Sequence, residues 1–253
     1  MLSLTHPAKR IVKSVANSFG LHISRVRDGT IDHAPGVDSD NDIQTLLAGI
    51  SSPIVFDVGA NTGQSVRSIT TLLGSCEVHS FEPGPAAFRQ LETATREIPN
   101  LHRVNAAVGS VSGRQVFLEN TYSDMSSFLR PAKAAWGNVI SKTLVDVITI
   151  DEYTERHNVE RIDLLKIDTQ GYELEVLKGA TRAMLAARIR LIYLEVIFSE
   201  MYDDLPPFDV MYRFLLDHGF GLVAFYEFEL LGNHLASWAN ALFLNPECPG
   251  APG

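Results

Sequence analysis

From about residue 52 to residue 245 the chain alternates short apolar runs with segments of helical spacing. Ile54-Val55-Phe56 is apolar at consecutive positions, as a parallel strand covered on both faces requires. The spacing predicts a helix over Gln64 to Leu73 and a strand over Cys76 to Phe81. A second helix runs from Pro85 to Ile98 on Phe88, Leu91, Thr95 and Ile98, stopped by Pro99. Leu101 to Val108 reads as one further strand. Gln115-Val116-Phe117-Leu118 and Leu144 to Ile150 alternate like a small hairpin or an edge addition. Ile162 to Asp168 is a strand ending in an acid, Tyr172 to Ala187 a helix, and Ile189 to Ile197 a strand that carries Glu195 near its end. Phe208 to Asp217 is again helical, with Gly219 as its C-cap. Leu222 to Phe228 and Ala239 to Leu244 flank a turn containing Gly232-Asn233.

Strands alternating with helices imply an α/β protein whose sheet is mostly parallel and doubly wound, with helices on both faces. The last two strands are joined too closely for a crossover helix, so the final one must run antiparallel. A Rossmann-like sheet of seven strands with a reversed last strand is the arrangement expected of a class I methyltransferase.

Composition narrows the setting. The hydrophobic fraction of 45% supplies a sizeable core, and the unbroken pattern over 52–245 indicates one domain. Two cysteines, Cys76 and Cys248, are too few for a disulfide framework and fit a reduced, cytoplasmic protein. A formal net charge of −9 argues against a nucleic-acid partner, which favours a basic face. No apolar run is long enough to span a bilayer, and there is no signal peptide. Residues 1–51 read as an N-terminal helical appendage and 246–253, rich in Pro and Gly, as a flexible tail. Within the appendage, Leu4, Ala8, Ile11, Val12, Val15, Ala16 and Phe19 recur at helical spacing beside Lys9, Arg10 and Lys13, with Arg25 and Arg27 farther on. A helix packed on the domain, as a lid or a homodimer contact, is the favoured reading. Peripheral contact of residues 4–19 with an anionic membrane is the alternative. Asp28 to Asp42 reads as a loop.

Candidate chemistry concentrates where the first strand ends. Asp57-Val58-Gly59-Ala60-Asn61-Thr62-Gly63 turns sharply from strand to helix, and the helix start offers free N–H groups to a ligand. Glu82 ends the second strand nineteen residues after Gly63, about where an acid meets a nucleoside ribose in this architecture. A dinucleotide site would show G-x-G-x-x-G; here Asn61 holds the middle position and Asp57 would repel a pyrophosphate. S-adenosyl-L-methionine carries a sulfonium and an ammonium instead, and carboxylates suit both.

Three segments together resemble the FkbM family of methyltransferases. They are Val55 to Gly63, then Phe81-Glu82-Pro83, then Leu165-Lys166-Ile167-Asp168-Thr169-Gln170-Gly171-Tyr172-Glu173. The likeness extends from about Ser52 to Phe243. It implies methyl transfer from S-adenosyl-L-methionine to a hydroxyl oxygen of a sugar or other polyhydroxyl acceptor, as in a glycolipid, a polysaccharide or a natural-product glycoside. Carried over by motif, Asp57, Gly59, Asn61, Thr62 and Gly63 hold the methionine end and Glu82 the ribose. Asn105, Ala106 and Ala107 lie near the adenine, and Ser127, in Met125-Ser126-Ser127-Phe128, lies on a loop near donor or acceptor.

A sugar hydroxyl must lose its proton on attack, to a base or beside a metal ion. Reacting groups in open α/β sheets lie outside the carboxyl ends of the strands. That rule selects Asp168 and Glu195, either as base and orienter or as ligands of a divalent cation such as magnesium. His234, in the turn after the sixth strand, is a further candidate, whereas His79 and His218 read as structural. Lys166 reads as the partner of a carboxylate. A nicotinamide-dependent oxidoreductase and a non-catalytic S-adenosyl-L-methionine-binding protein are the competing readings.

Overall fold

The computed structural model describes residues 25–27, 30–32 and 36–249. The proposed helix over Leu4 to Phe19 and the last four residues lie outside them. Seven strands form the central sheet: β3 (Ile54–Val58), β4 (Glu77–Phe81), β5 (Leu101–Val104), β9 (Ile162–Ile167), β10 (Ile189–Ile197), β11 (Gly221–Leu230) and β12 (Ala236–Leu244). Their spatial order is β11-β12-β10-β9-β3-β4-β5. β12 runs antiparallel to both neighbours, and the other six strands share one direction. This is the class I methyltransferase arrangement, with the reversed strand between β10 and β11.

Alternation along β3 explains why both faces are covered. Val55 packs with Val78, Leu164 and Leu191 on one face, against Ile43, Leu47 and Ile69. Phe56 points to the other, with Phe81, Leu165 and Ile192. The first face is closed by α1 (Ser39–Leu46) and α2 (Gln64–Leu73). The second is closed by α4 (Ile150–His157), α5 (Glu173–Lys178), α6 (Thr181–Leu185) and α7 (Phe208–Asp217). Between α2 and α4 lies α3 (Pro85–Ala94), with Pro85 in its first turn. None of the described helices is long and apolar enough to cross a membrane.

Several boundaries differ from the sequence reading, each for a physical reason. Leu101 to Val108 is two strands: Asn105 breaks the run, and β6 (Ala107–Val108) leaves the main sheet. It joins β8 (Val139–Ile148) and β7 (Gly113–Asn120) in a separate three-stranded sheet, the predicted hairpin enlarged by one strand. The helix predicted over Tyr172 to Ala187 is two helices. Gly179 packs so tightly on the Gly109 carbonyl that an added Cβ would lie 2.1 Å from that oxygen. Asp28 to Asp42 is not one loop. A hairpin of β1 (Arg25–Arg27) and β2 (Thr30–Asp32) precedes α1, which Asp38 caps by accepting from the Asp40 and Asn41 N–H groups. Nor is all of 1–51 an appendage, since Ile43 and Leu47 are core residues. Asp42 accepts from the Gly36 N–H (2.6 Å) and the Tyr226 hydroxyl (2.7 Å), which pins this segment to β11. At the other end, residues 246–249 fold back onto the domain rather than hanging free. Cys248 is buried, and Arg190 donates to the Pro249 carbonyl at 2.8 Å.

Candidate active site

Three strand ends are tied together at the carboxyl edge. The Gly59 and Ala60 N–H groups both donate to the Phe81 carbonyl at 3.0 Å, and the Asp168 N–H donates to the Val58 carbonyl at 2.9 Å. The β3 turn passes so close to β9 that a Cβ on Gly59 would lie 1.8 Å from the Asp168 carbonyl oxygen. Gly59 also has φ of +84°, so glycine is required there twice over.

This convergence presents Glu82 to a cavity. Its carboxylate accepts from the Gly84 N–H (2.7 Å) and the Asn61 N–H (2.9 Å). Burial pushes its pKa up to about 7, against those two hydrogen bonds, which favour the charged form. Asn61, at φ +47°, lines the same cavity, and its side-chain oxygen is buried without a hydrogen-bond partner. An orphan acceptor beside an acidic residue fits a ligand that brings hydroxyl and ammonium donors.

Across the cavity lie Asp168 and Glu195, joined by Gln170. The Gln170 side-chain amide donates to Asp168 Oδ1 (3.0 Å) and Glu195 Oε2 (2.9 Å), and its oxygen accepts from the Tyr202 hydroxyl (2.9 Å). Ser127 holds the Gln170 backbone by donating to its carbonyl at 2.7 Å. Lys166 lies 3.4 Å from Asp57 Oδ1 and 3.6 Å from Asp168 Oδ2. Burial would lower its pKa, but the two carboxylates more than offset this and hold it above the ordinary lysine range. Glu195 is pushed well above the usual carboxylate range by desolvation and by the like charges of Asp168 and Glu173. Glu173, buried, accepts from the Thr169 and Gly171 N–H groups (2.9 and 3.2 Å), and desolvation raises its pKa to about 7. Aromatic side chains wall the remaining space: Phe117, Phe128, Trp136, Tyr172 and Trp238.

The residues proposed from sequence therefore divide. Gly59, Asn61, Glu82, Ala107, Asp168 and Glu195 line one cavity. Asp57, Thr62, Gly63, Asn105, Ala106 and Ser127 are not among its lining residues. Asp57 is fully buried, accepts from the Ser65 hydroxyl at 2.6 Å and faces Lys166, so it braces the turn. Thr62 donates to Gln64 at the start of α2. Asn105 donates to the Glu82 carbonyl at 2.8 Å, which fixes the backbone beneath the carboxylate. His234 lies in an exposed turn away from the residues lining the cavity, because β11 runs on to Leu230 before the chain reverses. His79 and His218 are not among the residues lining the cavity. His79 is buried against Tyr153, and His218 contacts the Phe214 carbonyl at 2.7 Å. The Asp168–Glu195 pair is spanned by an amide donor, so a cation between them requires Gln170 to turn away. Sequence reasoning did not single out Gln170, Tyr202, Trp136 or Trp238. Gln170 lies inside the quoted motif and Trp238 one residue before the predicted last strand, while Trp136 and Tyr202 come from segments with no periodic pattern.

The family model described as the methyltransferase FkbM domain matches residues 57–222, spanning all three strand ends. The chain belongs to the FkbM methyltransferase family. Among curated relatives, the 2-O-methyltransferase NoeI of Sinorhizobium fredii is 24% identical over 183 residues, covering 64% of this chain and 74% of that one. The hexuronic acid methyltransferase AglP of Haloferax volcanii is 29% identical over 134 residues, 52% of this chain, which spans about half (51%) of that protein's length. Similar solved structures include TrmK of M. capricolum with S-adenosyl-homocysteine (8% identity, TM-score 0.48, 81% of this chain and 67% of that one). Fibrillarin of Methanococcus jannaschii is another (13% identity, TM-score 0.47, 77% and 66%). In this FkbM domain the family segment begins at Asp57, the residue that braces the cavity turn.

Proposed function

We propose that this methyltransferase transfers a methyl group from S-adenosyl-L-methionine to a hydroxyl oxygen of a sugar or similar polyhydroxyl acceptor. The observation that carries the reading is one cavity with two unlike sides. Glu82 and the unpartnered Asn61 oxygen lie on one side, Asp168 and Glu195 on the other, with Trp136 and Trp238 in the wall. The names of NoeI and AglP support a carbohydrate acceptor.

S-adenosyl-L-methionine supplies an electrophilic methyl group on a positively charged sulfur. Glu82, when ionised, would accept the two ribose hydroxyls, and the unpartnered Asn61 oxygen would accept from the ammonium. The indole faces bear on the acceptor's apolar sugar face. Glu195 takes the hydroxyl proton, since a carboxyl with a raised pKa is a better-matched base near neutrality. Asp168, fixed by Lys166 and Gln170, orients that hydroxyl in line with the breaking bond. Alignment and proton removal together supply the acceleration, and no covalent intermediate on the protein is needed.

The test is methyl transfer from labelled donor to a panel of neutral, deoxy and uronic acid glycosides, with mass spectrometric location of the methyl group. A methyl ether on one sugar hydroxyl is expected. Donor binding without transfer to any member would favour the non-catalytic reading, and binding of NAD in its place would favour the oxidoreductase.

A further inference from the structure

A second cluster of ligand-type side chains lies at the opposite edge of the sheet. β4 and β5 run parallel with His79 directly beside His102, and Glu77 is two residues before His79 on the same face. Among the described residues, Glu77, His79 and His102 bring one carboxylate oxygen and two imidazole nitrogens within 4.8 Å of one another. We propose that Glu77, His79 and His102 bind a divalent transition-metal ion, zinc by preference, at a site separate from the methyl-transfer cavity.

The spacing suits such an ion. Glu77 Oε1 lies 3.1 Å from His79 Nε2 and 3.3 Å from His102 Nε2. A tetrahedral zinc ion with bonds of about 2.0–2.1 Å separates its ligand atoms by about 3.3 Å. Two nitrogens and one carboxylate form a ligand set that zinc accepts, with the fourth position open to water. Water has access, because the Glu77 side chain is 39% exposed and that of His102 54%. The outer shell is also present. His79 Nδ1 lies 2.9 Å from the Tyr153 hydroxyl, so a ring bound through Nε2 can donate from Nδ1 to that oxygen. Nε2 of each ring lies beside Glu77 Oε1, and metal binding through Nε2 requires the tautomer that carries its proton on Nδ1. The His79 and His102 rings stack at 4.4 Å with 11° between planes, so the exposed His102 ring must turn to aim its lone pair.

Glu77 opens β4 and Glu82 follows its far end, so an ion here acts on the structure rather than on transfer. It would clip β5, an edge strand, to β4. The alternative is a carboxylate that merely accepts two N–H bonds.

The experiment is calorimetric titration of the untagged, EDTA-stripped full chain with zinc chloride, and the melting temperature with and without zinc. One equivalent should bind and raise the melting temperature. His102→Ala and Glu77→Gln should each weaken binding at least about tenfold, with unchanged S-adenosylhomocysteine affinity reporting an intact fold. Asp168→Asn should bind zinc as the wild type does. Absence of zinc binding, binding unchanged in His102→Ala, or binding lost only in Asp168→Asn would each overturn the proposal.

Discussion

Asp163 and Glu195 are carboxylates on neighbouring parallel strands, at opposite ends of the sheet. Asp163, at the start of β9, has both oxygens engaged. It accepts from Arg161 Nε at 3.2 and 3.0 Å and from the Ile54 N–H at 2.8 Å. Glu195, near the end of β10, receives one amide bond and faces the like charges of Asp168 and Glu173. The same residue chemistry thus serves two ends differently. At the amino edge a partnered acid ties β9 to β3; at the carboxyl edge an under-partnered acid is held ready for a proton.

That contrast breaks if Glu195 is dispensable. Glu195→Gln should lower single-turnover methyl transfer by about 10²–10⁴-fold, with S-adenosylhomocysteine affinity nearly unchanged in a calorimetric titration. Gly59→Ala attacks the frame of the same edge. A Cβ 1.8 Å from the Asp168 carbonyl at φ +84° should destabilise the fold by about 4 kcal/mol or more, read by denaturant melts. Glu82→Ala removes the acceptor of two hydroxyls and should weaken S-adenosylhomocysteine binding tenfold or more, since charged hydrogen bonds contribute about 1.5–3 kcal/mol each. Asp163→Ala should do the reverse of Glu195→Gln. It leaves the Ile54 N–H unpaired and costs about 1–3 kcal/mol of stability, with the transfer rate of the folded fraction kept.

The smallest effect is with pH, and its sign separates folding from binding. Glu82 and Glu173 both titrate near 7 in the ligand-free protein, above their ordinary values. Their stabilising effect is complete below about 4.5 and is lost as pH rises through about 7. The melting temperature of the ligand-free protein should therefore fall from pH 5 toward about pH 8, less so in Glu82→Gln. Under the proposed donor site, binding of the nucleoside runs the other way, because the ionised carboxylate is the form that would accept both hydroxyls. The stabilisation by S-adenosylhomocysteine should grow over the same range, and a flat difference would remove Glu82 from the ribose site.

The sequence exposed the elements whose surroundings are uniform. β3, β4, β9 and β10 are buried on both faces, so their apolar runs stand out, and the carboxyl-end rule points to Glu82, Asp168 and Glu195, which line one cavity. It misled where apolar pattern continues across a change of partner. Asn105 interrupts Leu101 to Val108 to hydrogen-bond the Glu82 carbonyl, a role that periodicity does not carry. Asp57 ends its strand where a ligand-facing acid is expected, and Ser65 and Lys166 hold its carboxylate, contacts that the strand pattern does not carry. His234 was drawn to the rim by topology and left outside the cavity by the length of β11. Tyr202 reaches Gln170, and Trp238 the cavity, through pairings distant in sequence: the bridge of Pro131 with Tyr202, and the pairing of Trp238 with Ile197 and Glu229.

The most direct test of the reactive edge is the pH profile of single-turnover transfer to a methylatable glycoside. It is to be run for the wild type, Asp168→Asn and Glu195→Gln with donor saturating. The wild-type rate should climb with pH as Glu195 ionises. Glu195→Gln should be slow and flat, and Asp168→Asn slow with the climb preserved. Wild-type rates in both variants, with the climb intact, would contradict the account and move the proton acceptor away from the β9 and β10 strand ends.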